Sequence, residues 1–94
     1  MIQEAKNGKG RKLPAETLII DVRSRSEFET GHVKGALNIP LLELNQELKN
    51  LDETASIITC CASGVRSEMA KNILRQHGFS NVQNGGAWTS LVKT

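Results

Sequence analysis

Residues 56–67 read SIITCCASGVRS and join two kinds of sequence pattern. The first five, 56–60, are rich in β-branched residues, as β-strands are. The next seven, 61–67, are mostly small or polar and contain a glycine, which is typical of a loop. From Ser67 onward, Met69, Ala70, Ile73 and Leu74 recur at helical spacing, and Gly78 is placed to end the helix. The stretch therefore predicts a strand, a tight loop and a helix in direct succession.

The rest of the chain alternates between the same two patterns. Predicted strands lie at 18–21, 36–39, 56–60 and 81–83. Predicted helical segments lie at 27–29, 41–51, 67–77 and 87–92, with Ser24 or Ser26 as the first N-cap and Gly85-Gly86 as a turn. This alternation predicts an α/β fold with a small, mostly parallel central sheet. Ligands of such sheets bind at the carboxyl ends of the strands, where Cys61 is expected.

The composition is that of one small globular domain. The chain has 94 residues, of which 38% are hydrophobic and 23% charged, and its formal net charge is +2. We expect a flexible Gly/Lys leader at 1–12 and a folded domain at 13–94. A charge this mild, with 3% aromatic residues, argues against a nucleic-acid partner, and no apolar stretch is long enough to span a membrane.

The two cysteines, Cys60 and Cys61, are adjacent, so they cannot staple distant parts of the chain as in a secreted disulfide framework. No His or Cys pair at ligand spacing surrounds them, so a structural zinc site is not expected. Together with the absence of a signal-peptide pattern at residue 1, this predicts a cytoplasmic protein, and we expect a monomer. At least one thiol is then available for reactivity.

The loop at 61–67 has the features of an anion-binding and thiolate-stabilising site. Amide N–H groups converge between a strand end and a helix start, where the helix dipole is positive. Such surroundings lower the pKa of a cysteine below its free value of about 8.5. Gly64 lets the loop close tightly, Arg66 adds a charged planar fork, and Ser67 can cap the helix or donate to the sulfur.

Because the two cysteines are adjacent, either one could be the first residue of the loop, and the spacing to Arg66 can be counted in two registers. From Cys61 to Arg66 there are four intervening residues, which makes a narrower loop. Counted from Cys60 there are five, the spacing of phosphatases and arsenate reductases that bind a tetrahedral oxyanion. The positions of Gly64 and Ser67 favour the Cys61 register. Strand alternation predicts that Cys60 points into the layer against the helices as a near-normal thiol, while Cys61 turns into the loop.

Three segments resemble the signatures of rhodanese-like domains. They are the stretch from Asp21-Val22-Arg23 through Glu27-Phe28 to 31–40 (GHVKGALNIP), the loop 61–67 (CASGVRS), and a closing segment with Gly78-Phe79, Val82 and 85–88 (GGAW). Together they span roughly residues 18–92 in the family's order. The resemblance implies a small α/β domain whose central, mostly parallel sheet has helices on both faces. It also implies transfer of a sulfane sulfur from thiosulfate or a related donor to cyanide, a thiol or a protein.

The resemblance also assigns roles to the loop. Cys61 would be the nucleophile that carries the persulfide, and Arg66 would hold the sulfonate of the donor. The amides that would cradle the sulfur belong to Ala62, Ser63, Gly64, Val65, Arg66 and Ser67. No metal or organic cofactor is implied; the partners would be a small anionic donor and a thiol or protein acceptor. Rhodanese-like domains that serve only as binding modules typically lack the loop cysteine, which is present here.

Several other residues are predicted to be structural. Asp21, at a strand end, is expected to accept hydrogen bonds from loop amides or to pair with Arg23. His32 is expected to fix a turn, and Trp88 to lie in the core. Whether Arg23 or Arg25 faces the mouth of the site is left open.

Overall fold

Four parallel strands form the centre of the computed structural model, which describes residues 17–92. They are β1 (Thr17–Asp21), β2 (Leu37–Asn38), β3 (Ser56–Cys61) and β4 (Val82–Ala87). Their order across the sheet is β2-β1-β3-β4, and each neighbouring pair is parallel. Parallel pairing requires crossover connections, so the carboxyl ends of all four strands meet at one edge. The ends of the two inner strands, Asp21 and Cys61, therefore lie close together at that edge.

Three α-helices accompany the strands in the described part of the chain: α1 (Arg25–Glu29), α2 (Leu44–Glu47) and α3 (Val65–Gln76). The helix expected at 41–51 is wrong in detail, because 3₁₀ turns at Leu41–Glu43 and Leu48–Asn50 flank α2. A 3₁₀ turn repeats every three residues, which is the spacing from Leu41 to Leu44 and from Leu48 to Leu51. Leu44 is fully buried in the core, and the other three leucines are partly buried and pack against it.

One core cluster joins the sheet to α2 and α3. Its buried members are Ile20, Val22, Ile39, Leu44, Ile57, Cys61, Ala70, Leu74, Phe79 and Val82. The predicted α/β class with a parallel sheet is therefore confirmed. Met69, predicted on the apolar face of α3, is instead 51% exposed. No helix within residues 17–92 is long and apolar enough to cross a bilayer. The predicted leader at 1–12 and the domain start at 13 lie outside the described residues.

The largest departures from prediction occur around the loop. Strand β3 runs through Cys61, and α3 begins at Val65 rather than Ser67, so only three residues join them. The predicted turn at Gly85-Gly86 is also wrong, because both glycines belong to β4. Thr59 pairs with Asn84 and Cys61 with Ala87, so β4 holds one extra residue opposite β3, a β-bulge. Gly86 absorbs this bulge with φ +79°, a conformation that glycine adopts without strain.

Candidate active site

The sulfur of Cys61 occupies the place of an N-cap acceptor for α3. The N-cap residue itself is Gly64, which has no side chain to cap the helix. Cys61 Sγ accepts hydrogen bonds from the amide of Gly64 at 3.0 Å and from the amide of Ser67 at 3.4 Å. Ser67 is the third residue of α3, the position whose amide an N-cap side chain ordinarily satisfies. The sulfur therefore lies at the positive end of the helix dipole.

This environment favours the thiolate of Cys61. Burial opposes ionisation, but hydrogen bonds that the thiolate can accept from the Ser67 side chain and from three loop amides outweigh it and lower the pKa of Cys61 to about 7. Those amides belong to Ser67, Gly64 and Ser63. A free cysteine has a pKa of about 8.5, so Cys61 is ionised to a far greater extent near neutral pH. The loop can thus supply a nucleophilic sulfur without a general base.

Cys60 lies in different surroundings from Cys61. It is also fully buried, but strand alternation places it on the opposite face of the sheet, in register with Asp21. Burial and the charge of Asp21 raise the pKa of Cys60 to about 12. The ionisation of Cys60 is therefore more strongly suppressed than that of the near-normal thiol that we expected. The prediction that Cys60 is buried is confirmed, whereas its contact with the helices stays a prediction; it is Cys61 that packs into the core cluster beside α3.

The geometry of the doublet favours the narrower of the two registers. In the described part of the chain, the loop amides that contact a cysteine sulfur all contact Cys61. Cys60 points away from the loop, so it cannot serve as the nucleophile of a wider oxyanion-binding loop in this conformation. The loop chemistry therefore centres on Cys61.

Arg66 forms a bidentate ion pair with Glu27 of α1. Its Nη1 lies 2.8 Å from Glu27 Oε1 and its Nη2 lies 3.0 Å from Oε2. These hydrogen bonds, helped by the amide of Ser24, lower the pKa of Glu27 to about 2. Glu27 also completes a capping box with Ser24, so it fixes the start of α1 while it holds Arg66. Sequence reasoning had placed Glu27 in a motif without recognising it as the partner of Arg66.

The remaining loop residues differ in exposure. Ala62 and Ser63 are exposed, Val65 is 63% exposed, and Ser67 is fully buried. Gly64 packs against β4, where an added Cβ would lie 3.3 Å from Gly86 Cα. Its φ of +103° also suits glycine, as the tight loop requires. Beside the loop lies an open depression of about 620 Å³, lined by Ser63, Gly64, Val65, Glu68, Met69, Asn84 and Gly86.

Sequence reasoning missed Asn84, which connects β4 to the loop. Its side chain contacts the Ser67 hydroxyl at 2.6 Å and the Gly64 carbonyl oxygen at 3.1 Å. A single polar residue before a glycine pair carries no sequence signal of its own. Its position is set by the pairing of β4 with β3, which places Asn84 opposite Thr59 and is visible only in the structure.

The buried Asp21–Arg23 pair confirms the structural role predicted for Asp21. Arg23 Nη2 lies 2.8 Å from Asp21 Oδ2, and the amide of Arg23 donates to Oδ1 at 3.0 Å. Arg23 is buried and stacks over Trp88, so it does not face the mouth of the loop. Trp88 itself is only partly buried, rather than in the core. The turn role of His32 is confirmed, since its Nδ1 lies 2.7 Å from the Phe28 carbonyl oxygen.

Comparison with known proteins identifies the family. The rhodanese-like domain model matches residues 1–87. The thiosulfate sulfurtransferase PspE of Escherichia coli is 36% identical over 75 residues, which cover 78% of this chain and 72% of that protein. The putative sulfur carrier protein YrkF of Bacillus subtilis is 41% identical over 66 residues, 70% of this chain. This chain spans only 36% of the length of YrkF.

A solved structure supports the same relationship. A rhodanese with anions from E. coli superimposes with a TM-score of 0.73 at 33% sequence identity. The match covers 78% of this chain and 88% of that one.

Proposed function

Because this chain belongs to the rhodanese-like family, we propose that it is a sulfurtransferase that carries sulfur as a persulfide on Cys61. The donor is thiosulfate or a related anion that contains sulfane sulfur. The acceptor is cyanide, a thiol or a protein. The observation that carries the proposal is the contact of Cys61 Sγ with the amides of Gly64 and Ser67 at the start of α3.

The proposed reaction proceeds in two nucleophilic steps. The thiolate of Cys61 attacks the sulfane sulfur of thiosulfate, a new S–S bond forms, and sulfite leaves with the electron pair of the broken bond. The acceptor then attacks the outer sulfur of the persulfide, and Cys61 returns to the thiolate. Every electron pair is accounted for, so the cycle requires no oxidant, reductant or metal. Ping-pong kinetics are expected from the covalent intermediate.

Arg66 is proposed to bind the sulfonate of the donor. A guanidinium has five N–H donors, of which Glu27 receives two, so three remain for an incoming oxyanion. The amides of Val65 and Arg66, at the first two positions of α3, have no intrahelical acceptor and add to the anion-binding character of the loop.

The test is intact mass spectrometry after incubation with thiosulfate, together with thiocyanate formation when cyanide is added. Wild type and Cys60→Ser should each gain one sulfur atom and turn over, because Cys60 lies outside the loop. Cys61→Ser should do neither. Cys60→Ser is the matched control, since it removes an adjacent buried thiol of the same size.

Two outcomes would contradict the proposal. Sulfur uptake and turnover by Cys61→Ser, with loss in Cys60→Ser, would assign the chemistry to Cys60 and make phosphate-ester or arsenate turnover the activity to assay. A failure of wild type to take up sulfur from a panel of thiosulfate, thiosulfonates and persulfides would indicate a binding module.

A further inference from the structure

Asn84 uses its complete hydrogen-bonding capacity beside the loop. Its Oδ1 accepts from the amide of Gly86 at 2.8 Å and contacts the hydroxyl of Ser67 at 2.6 Å. Its Nδ2 donates to the Gly64 carbonyl oxygen at 3.1 Å and to Glu68 Oε1 at 3.0 Å. A side-chain amide has two donor hydrogens and two acceptor lone pairs, so no capacity remains.

The orientation of the Asn84 amide follows from these partners. The backbone N–H of Gly86 can only donate, so it must face Oδ1, and the carbonyl of Gly64 can only accept, so it must face Nδ2. Ser67 is therefore opposite an acceptor and must donate its hydroxyl proton to Asn84 in this arrangement.

The hydroxyl of Ser67 has a second potential partner. Its Oγ lies 3.4 Å from Cys61 Sγ, but it has only one proton to donate. While that proton is on the Asn84 side, Ser67 presents only lone pairs to the sulfur. Lone pairs suit a protonated thiol, which can donate to them, and repel a thiolate. Stabilising the thiolate therefore requires the hydroxyl to rotate and leave Asn84.

We propose that Asn84 is a positioning residue for sulfur transfer, which holds the Ser67 hydroxyl while Cys61 Sγ is uncharged and releases it to the Cys61 thiolate. Sγ is uncharged both in the thiol and in the persulfide, where the negative charge resides on the outer sulfur. Only a rotation is involved, and no covalent bond changes. The sulfur-transfer part of this inference rests on the proposed function, whereas the competition for one proton does not.

Other charged and titratable groups influence this region from the neighbouring elements. They are Asp21 at the end of β1, Arg23 after it, Glu27 in α1, Cys60 in β3, and Arg66 and Glu68 in α3. Asn84→Ala alters the surroundings of Glu68 and also releases the Gly64 carbonyl. Both effects could change the ionisation of Cys61 without any involvement of Ser67. A single variant is therefore not sufficient, and a double-mutant cycle is needed.

The experiment measures the pH midpoint for iodoacetamide modification of Cys61 in four proteins: wild type, Asn84→Ala, Ser67→Ala and the double variant. Asn84→Ala frees the hydroxyl to remain on the sulfur, an effect that exists only when Ser67 is present. Asn84→Ala changes the pH midpoint in both backgrounds. We expect it to lower the midpoint by about one pH unit more when Ser67 is present than in the Ser67→Ala background. Effects of Asn84→Ala that act through Glu68 or Gly64 appear in both backgrounds, so they cancel when one shift is subtracted from the other.

Equal shifts in the two backgrounds, or a larger downward shift without Ser67, would overturn the proposal and leave Asn84 as a clamp on the loop. If Asn84→Ala does not fold by circular dichroism, Asn84→Asp replaces it. Its carboxylate still accepts from the amide of Gly86 and holds the Ser67 hydroxyl more strongly than the amide does. Asn84→Asp should therefore raise the pH midpoint of alkylation more when Ser67 is present than in the Ser67→Ala background. Equal rises would likewise overturn the proposal. Alkylation requires no sulfur donor, so this result is independent of whether thiosulfate is a substrate.

Discussion

Arg66 and Glu27 are joined by two parallel hydrogen bonds, of 2.8 Å and 3.0 Å, although they lie 39 residues apart in the chain. The pair connects the first turn of α3, which borders the sulfur, to the first turn of α1. Within residues 17–92, the hydrogen bonds to Glu27 use two of the five N–H donors of Arg66 and fix the orientation of the guanidinium. A guanidinium held in this way is preorganised for an anion at the loop.

We predict that Arg66→Ala raises the KM for thiosulfate about tenfold or more, because a hydrogen bond to a charged group contributes about 1.5–3 kcal/mol. Arg66→Lys should restore only part of the loss, since an ammonium lacks the planar fork. Steady-state kinetics at varied thiosulfate provide the measurement. The matched control is Arg25→Ala, which removes an exposed arginine paired with Glu43 and should leave KM unchanged. Wild-type KM in Arg66→Ala would restrict Arg66 to a structural role.

A second prediction concerns Glu27→Gln, which keeps the side-chain shape and removes the charge that orients Arg66. We expect a rise in thiosulfate KM smaller than that of Arg66→Ala, because the guanidinium is still present but less constrained. Since the pKa of Glu27 is about 2, the pair should persist throughout the pH range of the assay in wild type. A fall in KM would show instead that Glu27 competes with the donor for Arg66.

A third prediction follows from the lowered pKa of Cys61. Because only the thiolate reacts, the rate of iodoacetamide modification should rise about tenfold per pH unit below the midpoint and level off above it. We expect the midpoint near the pKa of about 7. The control is Cys61→Ser, in which Cys60 should remain unmodified at pH 8 because its pKa is about 12. A midpoint at or above that of a free cysteine would show that the loop does not stabilise the thiolate.

The order of elements and the place of Cys61 at a strand end were predictable because both depend on local sequence. The β-branched residues at 56–60, the small residues after them and the helical periodicity beyond are all encoded within neighbouring positions. The α/β class and the position of Cys61 at a strand end followed from them. The N-cap predicted at Ser24 or Ser26 was equally local, and the structure places it at Ser24.

What could not be predicted depends on contacts between distant positions. Asn84 meets Ser67 across 17 residues because parallel pairing with β3 places Asn84 opposite Thr59. The bulge that follows in β4 turned an expected Gly85-Gly86 turn into strand. Glycine pairs favour turns locally, but here pairing with β3 provides the hydrogen bonds that extend β4.

A fourth prediction tests the packing of this bulge. A Cβ at Gly85 would lie 2.7 Å from Ile58 Cγ2 and 3.1 Å from the Thr59 carbonyl oxygen, so neighbouring atoms must shift. Gly85→Ala should lower the free energy of unfolding in urea by about 1–3 kcal/mol. The control is Gly35→Ala, whose Cβ would have no neighbour within 4 Å and whose φ of +85° adds only backbone strain. Equal losses at the two positions would show that the bulge relaxes around a methyl group.

The last prediction concerns the buried Asp21–Arg23 pair, whose side chains are 0% and 4% exposed. Asp21→Asn keeps the shape but leaves the guanidinium without its counter-charge, and breaking a buried pair in this way costs about 3–5 kcal/mol. Asp21→Asn/Arg23→Met should recover part of that loss, because no unpaired charge then remains. Urea unfolding measures both, with Glu43→Gln at the exposed Arg25 pair as a control expected to cost less than about 1 kcal/mol. A loss in Asp21→Asn no larger than in this control would mean that water reaches Arg23 and solvates its charge.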